Sequence, residues 1–205
     1  MSGPIEVRSG APGAHAKVVE AVAASLGVEI ALSAGASPLI KIGDTELPGS
    51  PLRWLVEAAF LRALAPRHVL FLCVANSARS QLAEGLARDL APDGVKISSA
   101  GSAPTSVRPE AIAVLDEIGI DISHHASLGI DEVERSVDAV VTLCAEEVCP
   151  VWLGHAWRVH WGLPDPAGVD GTEDQRLESF SSVRDELRTR LGVVFGERAP
   201  EKVSR

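Results

Sequence analysis

The segment His68-Val-Leu-Phe-Leu-Cys73-Val-Ala-Asn-Ser-Ala-Arg79-Ser80 places a thiol, five residues, a guanidinium and a hydroxyl between an apolar run and a stretch that can form a helix. A loop turning from a strand into a helix directs successive backbone N–H groups inward and ends at a positive helix N-terminus. It can therefore hold a tetrahedral oxyanion. Val74, Ala75, Asn76, Ser77 and Ala78 would supply that cradle. Arg79 adds a planar fork that can take two of the oxygens. The same positive field favours the ionised thiol at Cys73, the form that attacks an electrophile. Ser80 can donate a hydrogen bond to the sulfur, and Asn76 and Ser77 can hold the loop in shape.

Two further segments could take part. Leu163-Pro164-Asp165-Pro166 follows an expected strand, and in open α/β sheets ligands gather beyond the strand C-termini. Thr142-Leu-Cys144-Ala-Glu-Glu-Val-Cys149-Pro150 carries the other two cysteines. Three thiols are an odd number for a disulfide framework. Taken singly, each fits a small buried hydrophobe; as a pair beside a strand end they fit redox partners. The six histidines form no recognisable ligand spacing, so neither a metal site nor a cofactor is assigned.

The elements around these residues follow a clear order. His68 to Leu72 is a continuous apolar run, as expected of a central parallel strand, and a helix is expected from Ser80 to Leu90. Further strands are predicted at Val95 to Ser99, Val137 to Leu143 and Trp157 to Trp161. A helix opens at Pro109 and runs through Ile118 to Gly119. The last helix is marked by Leu177, Phe180, Val183, Leu187, Leu191 and Val194, with Thr172 and Gln175 as a capping box. This is an α/β domain, a doubly wound four-stranded parallel sheet, over residues 67–197, with a polar tail at 198–205.

Residues 1–66 read as a separate small α/β segment. Strands are expected at residues 5 to 9, Val28 to Leu32, Ser37 to Ile42 and Thr45 to Leu47, with helices at His15 to Leu26 and from Ser50 to Ala65. That order looks like a shortened thioredoxin-type or glutathione-transferase N-terminal domain. Ser37-Pro38 stands where such domains carry a cis-proline. The segment has no cysteine, so it cannot run dithiol chemistry.

From residue 68 onward the motifs resemble the low-molecular-weight protein tyrosine phosphatase superfamily and, within it, the thioredoxin-coupled arsenate reductases. Arg79-Ser80-Gln81-Leu-Ala-Glu-Gly is similar to the reductase branch, since the phosphatases usually place proline where Gln81 stands. Ser98-Ser-Ala-Gly101, Val107-Arg-Pro109 and Ile118-Gly-Ile-Asp-Ile-Ser123-His124 are similar as well. The resemblance implies Cys73 as nucleophile and Asp165 as general acid. It implies that Cys144 resolves the Cys73 adduct, that Cys149 then attacks Cys144, and that thioredoxin or a similar thiol reduces the Cys144–Cys149 disulfide. These two cysteines stand slightly closer in sequence than in the best-known reductases. The phosphatases commonly continue the acid loop into tyrosine, whereas this chain has Pro166-Ala167-Gly168 and no Tyr at all, which favours a small inorganic substrate.

Composition bounds the alternatives. The chain has 205 residues, of which 46% are hydrophobic and 23% charged, enough for a packed core and solubility. A net charge of -9 argues against a nucleic-acid partner, because phosphate backbones are held by clustered Lys and Arg. No basic lead into an apolar run and no charge-free span of membrane length is found, so a cytoplasmic protein without a membrane partner is expected. The expected substrate is arsenate or a phosphate-like oxyanion. A phosphoester-hydrolysing phosphatase and a non-enzymatic oxyanion or redox sensor remain open at this point.

Overall fold

Apolar continuity from His68 to Cys73 produces a strand buried at every residue, and the rest of the reactive segment is organised from its end. The computed structural model describes residues 3–10, 14–34, 39–48, 51–145 and 150–196. In chain order the first six elements are β1 (Ile5–Ser9), α1 (Ala14–Leu26), β2 (Ile30–Ala34), β3 (Ile40–Ile42), β4 (Thr45–Leu47) and α2 (Arg53–Leu64). They are followed by β5 (His68–Cys73), α3 (Arg79–Leu90), β6 (Lys96–Gly101), α4 (Pro109–Asp116), β7 (Ala139–Cys144), β8 (Trp157–Leu163) and α5 (Glu173–Phe195).

The second sheet has the order β6-β5-β7-β8 and is parallel throughout, as the sequence leads one to expect. Its strands run further than their apolar runs. β6 continues to Gly101 because its ladder with β5 carries on to the pair Cys73 and Gly101. β7 starts later, at Ala139, and ends at Cys144. β8 passes Trp161 and Gly162 to pair Leu163 with Cys144, across a register shift at which Gly162 sits.

Alternation along the strands separates two apolar faces. Val69, Phe71, Val141 and Leu143 pack in the cluster that also holds Leu82, Leu86, Phe180 and Leu187 of α3 and α5. Leu70, Leu72 and Val140 pack on the other side with Val137 and Trp152. Thr172 caps α5 as expected: its hydroxyl accepts from the Gln175 N–H, while the Gln175 side chain accepts from the Thr172 N–H. α4 stops at Asp116, short of the predicted Ile118, and Gly119 follows with φ +80.

The first sheet has the order β2-β1-β3-β4, with β1 parallel to β2 and antiparallel to β3. β2 lies two residues later than the apolar run suggested, because Val28 closes α1 by bonding back to the Ala23 carbonyl. The predicted start of the third strand at Ser37 and the Ser37-Pro38 feature lie outside the described residues, as does Ser50. α2 begins at Arg53, with Leu52 at its N-cap, and closes at Ala65, whose φ of 47 hands the chain to Pro66.

α2 is buried at six consecutive positions, Val56 to Leu61, which only a helix covered on all sides allows. It lies against β3, β4, β8 and α5, and one continuous buried cluster runs from Val7 to Val194. At this junction the Arg190 guanidinium stands 5.2 Å from the Trp54 ring centre and 5.9 Å from that of Trp161. Glu57, buried beside Arg53, has its pKa raised by loss of solvent. Among the described residues no helix is long and apolar enough to cross a membrane.

Candidate active site

Cys73 ends β5 and is 2% exposed; the chain then turns through residues 74–78 into the N-terminus of α3 at Arg79. All five carbonyls of that turn are engaged away from its centre. Val74 O accepts from Ala103 N, Ala75 O from Thr105 N and Ser77 O from Arg108 N, each at 2.9 Å. Ala78 O accepts from Leu82 N at 2.9 Å, inside the helix. Asn76 O accepts from the Ser127 hydroxyl at 2.6 Å and from Gln81 Nε2 at 3.1 Å.

A trans peptide sets its C=O and N–H in opposite directions. Carbonyls held outward therefore aim the N–H groups of residues 75–79 into one concavity, which is the geometry of an anion nest at a helix N-terminus. The Asn76 N–H reaches Cys73 Sγ at 3.2 Å.

Asn76 is the knot of the turn. It is fully buried and holds a left-handed φ of 46, a conformation that asparagine tolerates better than most residues. Its Nδ2 donates to Ser80 Oγ at 2.8 Å and to Ser99 Oγ at 2.7 Å, and its Oδ1 accepts from Leu128 N at 2.7 Å and Gln81 Nε2 at 3.2 Å. Because Ser80 Oγ already accepts from Asn76, its proton is available to Cys73 Sγ, 3.0 Å away. Ser99 passes the network on by donating to Glu84 Oε2 at 2.5 Å, and Glu84 is paired with Arg88.

Gly101 faces this turn from β6. A methyl group there would collide with the Val74 carbonyl and crowd the Asn76 N–H, both backbone atoms that cannot swing aside. Gly101→Ala is therefore expected to destabilise the protein by about 1–3 kcal/mol. It is also expected to weaken phosphate binding at least tenfold, read by urea denaturation and calorimetry; unchanged values in both would show that the turn yields freely.

Arg79 opens α3 with its side chain only 5% exposed. Its Nη1 donates to Leu163 O at 3.2 Å, and its Nη2 lies 3.6 Å from Asp165 Oδ1. β8 thus delivers both a brace for the guanidinium and the carboxylate beside it. Asp165 is 41% exposed and accepts from Ala167 N at 3.3 Å at the head of a short turn, Pro166–Gly168. The arrangement brings a thiol, inward amides, a cation and a partly solvated carboxylate to one end of the sheet.

Cys144 is buried at the end of β7, the strand next to β5. Leu72 pairs with Thr142, so Cys144 stands one position beyond the level of Cys73. Strand spacing and rise put the two Cα atoms roughly 6 Å apart. Alternation, however, places Cys73 on the Phe71 face and Cys144 on the Val140 face. Cys149 lies outside the described residues. Among the described residues no His, Cys, Asp and Glu cluster has metal-ligating geometry.

Sequence reasoning gave no role to Ser99 and Glu84, although both stand in segments singled out for their resemblance, nor to Ser127, which lies in none, and it set aside His125. The His125 ring takes part through Nδ1, 2.9 Å from Gln81 Oε1, and burial lowers its pKa.

The model of the low molecular weight phosphotyrosine protein phosphatase family matches residues 68–204. The chain belongs to that family. Within it, the arsenate reductase of Bacillus subtilis (strain 168) is 44% identical over 126 residues, covering 60% of this chain and 91% of that protein. The arsenate reductase of Halalkalibacterium halodurans is likewise 44% identical over 126 residues, covering 60% of this chain and 91% of its own. A solved arsenate reductase in its phosphate-binding state superposes with a TM-score of 0.53 at 36% identity, over 63% of this chain and 96% of its own. The family resemblance read from the motifs and the parallel sheet agree with these matches, which leave the N-terminal sheet unaccounted for.

Proposed function

We propose that this low-molecular-weight phosphatase relative reduces arsenate to arsenite. The observation that carries the reading is a buried thiol in an amide cradle with a second thiol on the adjacent strand end, in a chain that resembles arsenate reductases at 44% identity. Hydrolysis of a phosphoester needs only the first thiol; reduction needs two electrons, which thiols supply.

Arsenate binds against the inward amides and Arg79. The Cys73 thiolate attacks arsenic and displaces an oxygen, which leaves as water after taking a proton from Asp165. Cys144 then attacks Cys73 Sγ; a disulfide forms, and the S–As electron pair departs with arsenic as arsenite. Cys149 attacks Cys144, freeing the Cys73 thiolate and leaving a Cys144–Cys149 disulfide. Thioredoxin or a similar dithiol of the cytoplasm supplies the final two electrons.

Residues 1–66 are read as a cysteine-free unit of thioredoxin type, a structural or partner-binding layer. The β2-β1-β3-β4 order and the shared core through α2 support that reading. The test of the activity is a thioredoxin-coupled arsenate assay run beside phosphate-ester hydrolysis. Thiol-dependent arsenite production is the expected result, and ester hydrolysis without arsenate turnover would replace the reading by a phosphatase.

A further inference from the structure

Four of the five outward carbonyls of the oxyanion turn are held by backbone donors, the N–H groups of Ala103, Thr105, Arg108 and Leu82. No substitution except one to proline removes those donors. The fifth, Asn76 O, is held by side chains: Ser127 Oγ and Gln81 Nε2. The peptide whose carbonyl they hold is the one whose N–H belongs to Ser77, the middle amide of the cradle.

We infer that Gln81 and Ser127 are positioning residues that aim the Ser77 N–H at the bound oxyanion by holding the Asn76 carbonyl out of the cradle. The inference rests on the oxyanion-site reading above and deepens it. Without the two donors the 76–77 peptide is free to rotate, and a carbonyl turned inward would set an acceptor against an anion while withdrawing a donor from it.

The orientation of Gln81 follows from its neighbours. Asn76 O, Asn76 Oδ1 and Ala126 O are all acceptors and all lie within 3.3 Å of one Gln81 atom, so that atom is the amide nitrogen. Gln81 Oε1 must then accept, and the ring nitrogen facing it at 2.9 Å, His125 Nδ1, carries the proton. This fixes the neutral tautomer of His125, which burial favours. Gln81 is fully buried, and its side chain ties three segments together: the turn at Asn76, the start of α3 and residues 125–127. A proline at this place could offer none of these bonds.

The charged groups near the ring are Glu84, Arg88, His124 and Asp121. None of them hydrogen-bonds to Gln81 or to Ser127 in the described residues, so the clamp is built from neutral groups. Its strength is then set by geometry rather than by salt.

Two variants test the inference, both in the full chain. Ser127→Ala removes the shorter bond at a half-buried site with little risk to folding, and Ser127→Thr keeps the hydroxyl. Gln81→Leu removes the other donor with little change in volume. Inorganic phosphate is the probe, with affinity read by calorimetry and Cys73 reactivity by its alkylation rate with iodoacetamide at neutral pH.

Ser127→Ala is expected to bind phosphate about tenfold more weakly and to be rescued by Ser127→Thr. Gln81→Leu should lose at least as much, with slower Cys73 alkylation and an unchanged circular dichroism spectrum. In the arsenate assay the loss should fall on kcat/KM more than on kcat. Phosphate affinity within twofold of wild type in folded Ser127→Ala, or no rescue by threonine, overturns the inference. Phosphate binding does not require turnover, so a chain that fails to reduce arsenate would sink the activity and leave this result readable.

Discussion

Cys73→Ser is expected to lower arsenate reduction by about four orders of magnitude or more, while phosphate still binds. A serine hydroxyl does not ionise near neutral pH, so the attacking species is lost. The cradle survives, because its carbonyls are held by residues 81, 82, 103, 105, 108 and 127, and a serine hydroxyl can still accept from the Asn76 N–H as the sulfur does. Arg79→Lys separates the two roles from the other side. It keeps the thiol but loses the fork, and its single ammonium cannot both brace against Leu163 O and take two oxygens of the substrate. Binding and turnover should therefore fall together in Arg79→Lys and come apart in Cys73→Ser. Phosphate affinity lost in Cys73→Ser, or turnover within tenfold of wild type in either variant, would remove Cys73 and Arg79 from the roles assigned to them.

The sequence makes some parts of this arrangement legible because they repeat or because they are bound by local rules. The apolar run ending at Cys73, the helix opening at Pro109 and the Thr172–Gln175 cap each have a short-range cause, and each stands where the local pattern puts it. Strand ends are less legible. The predicted strands stop at Ser99 and Trp161, short of Gly101 and Gly162, yet β6 needs Gly101 because a side chain there would meet the Val74 carbonyl, and β8 carries Gly162 through its register shift. The network behind the thiol is legible only in its first members. Ser80 and Asn76 lie in the motif, but Ser99, Glu84 and Ser127 come from a neighbouring strand, the next turn of a helix and a loop 51 residues away from Asn76. α2 hides its role for another reason: a helix buried all round has no amphipathic stripe to announce which surface it covers, and here it covers both sheets' elements at once.

Treated with arsenate and no external reductant, the wild-type protein is expected to end with a Cys144–Cys149 disulfide, and Cys149→Ser to stop at Cys73–Cys144. The second bond sets the harder physical condition. The Cα separation of roughly 6 Å that strand geometry gives Cys73 and Cys144 falls within the 4.4–6.8 Å that a disulfide accepts. Their side chains nevertheless leave the sheet on opposite faces, and two thiols whose Cβ vectors diverge cannot join while both strands keep their pleat. β5 is the fixed partner: it is paired on both sides, with β6 to its last residue and with β7 to Leu72. β7 reaches Cys144 across a register shift, where its pairing with Leu163 of β8 is irregular. The rotation must therefore come from Cys144, and the ladder beyond Thr142 should open in each cycle. Hydrogen exchange in the trapped Cys149→Ser adduct should accordingly show faster amides from residue 143 onward and unchanged protection in β5. Asp165 has no proton to deliver in this exchange, so Asp165→Asn should slow the first step and leave the rate of disulfide transfer as it is. Three free thiols by mass spectrometry after exposure to arsenate would end the reductase reading. A trapped Cys73–Cys144 bond with full protection at residues 143–145 would instead show that the two thiols meet without the strand end opening.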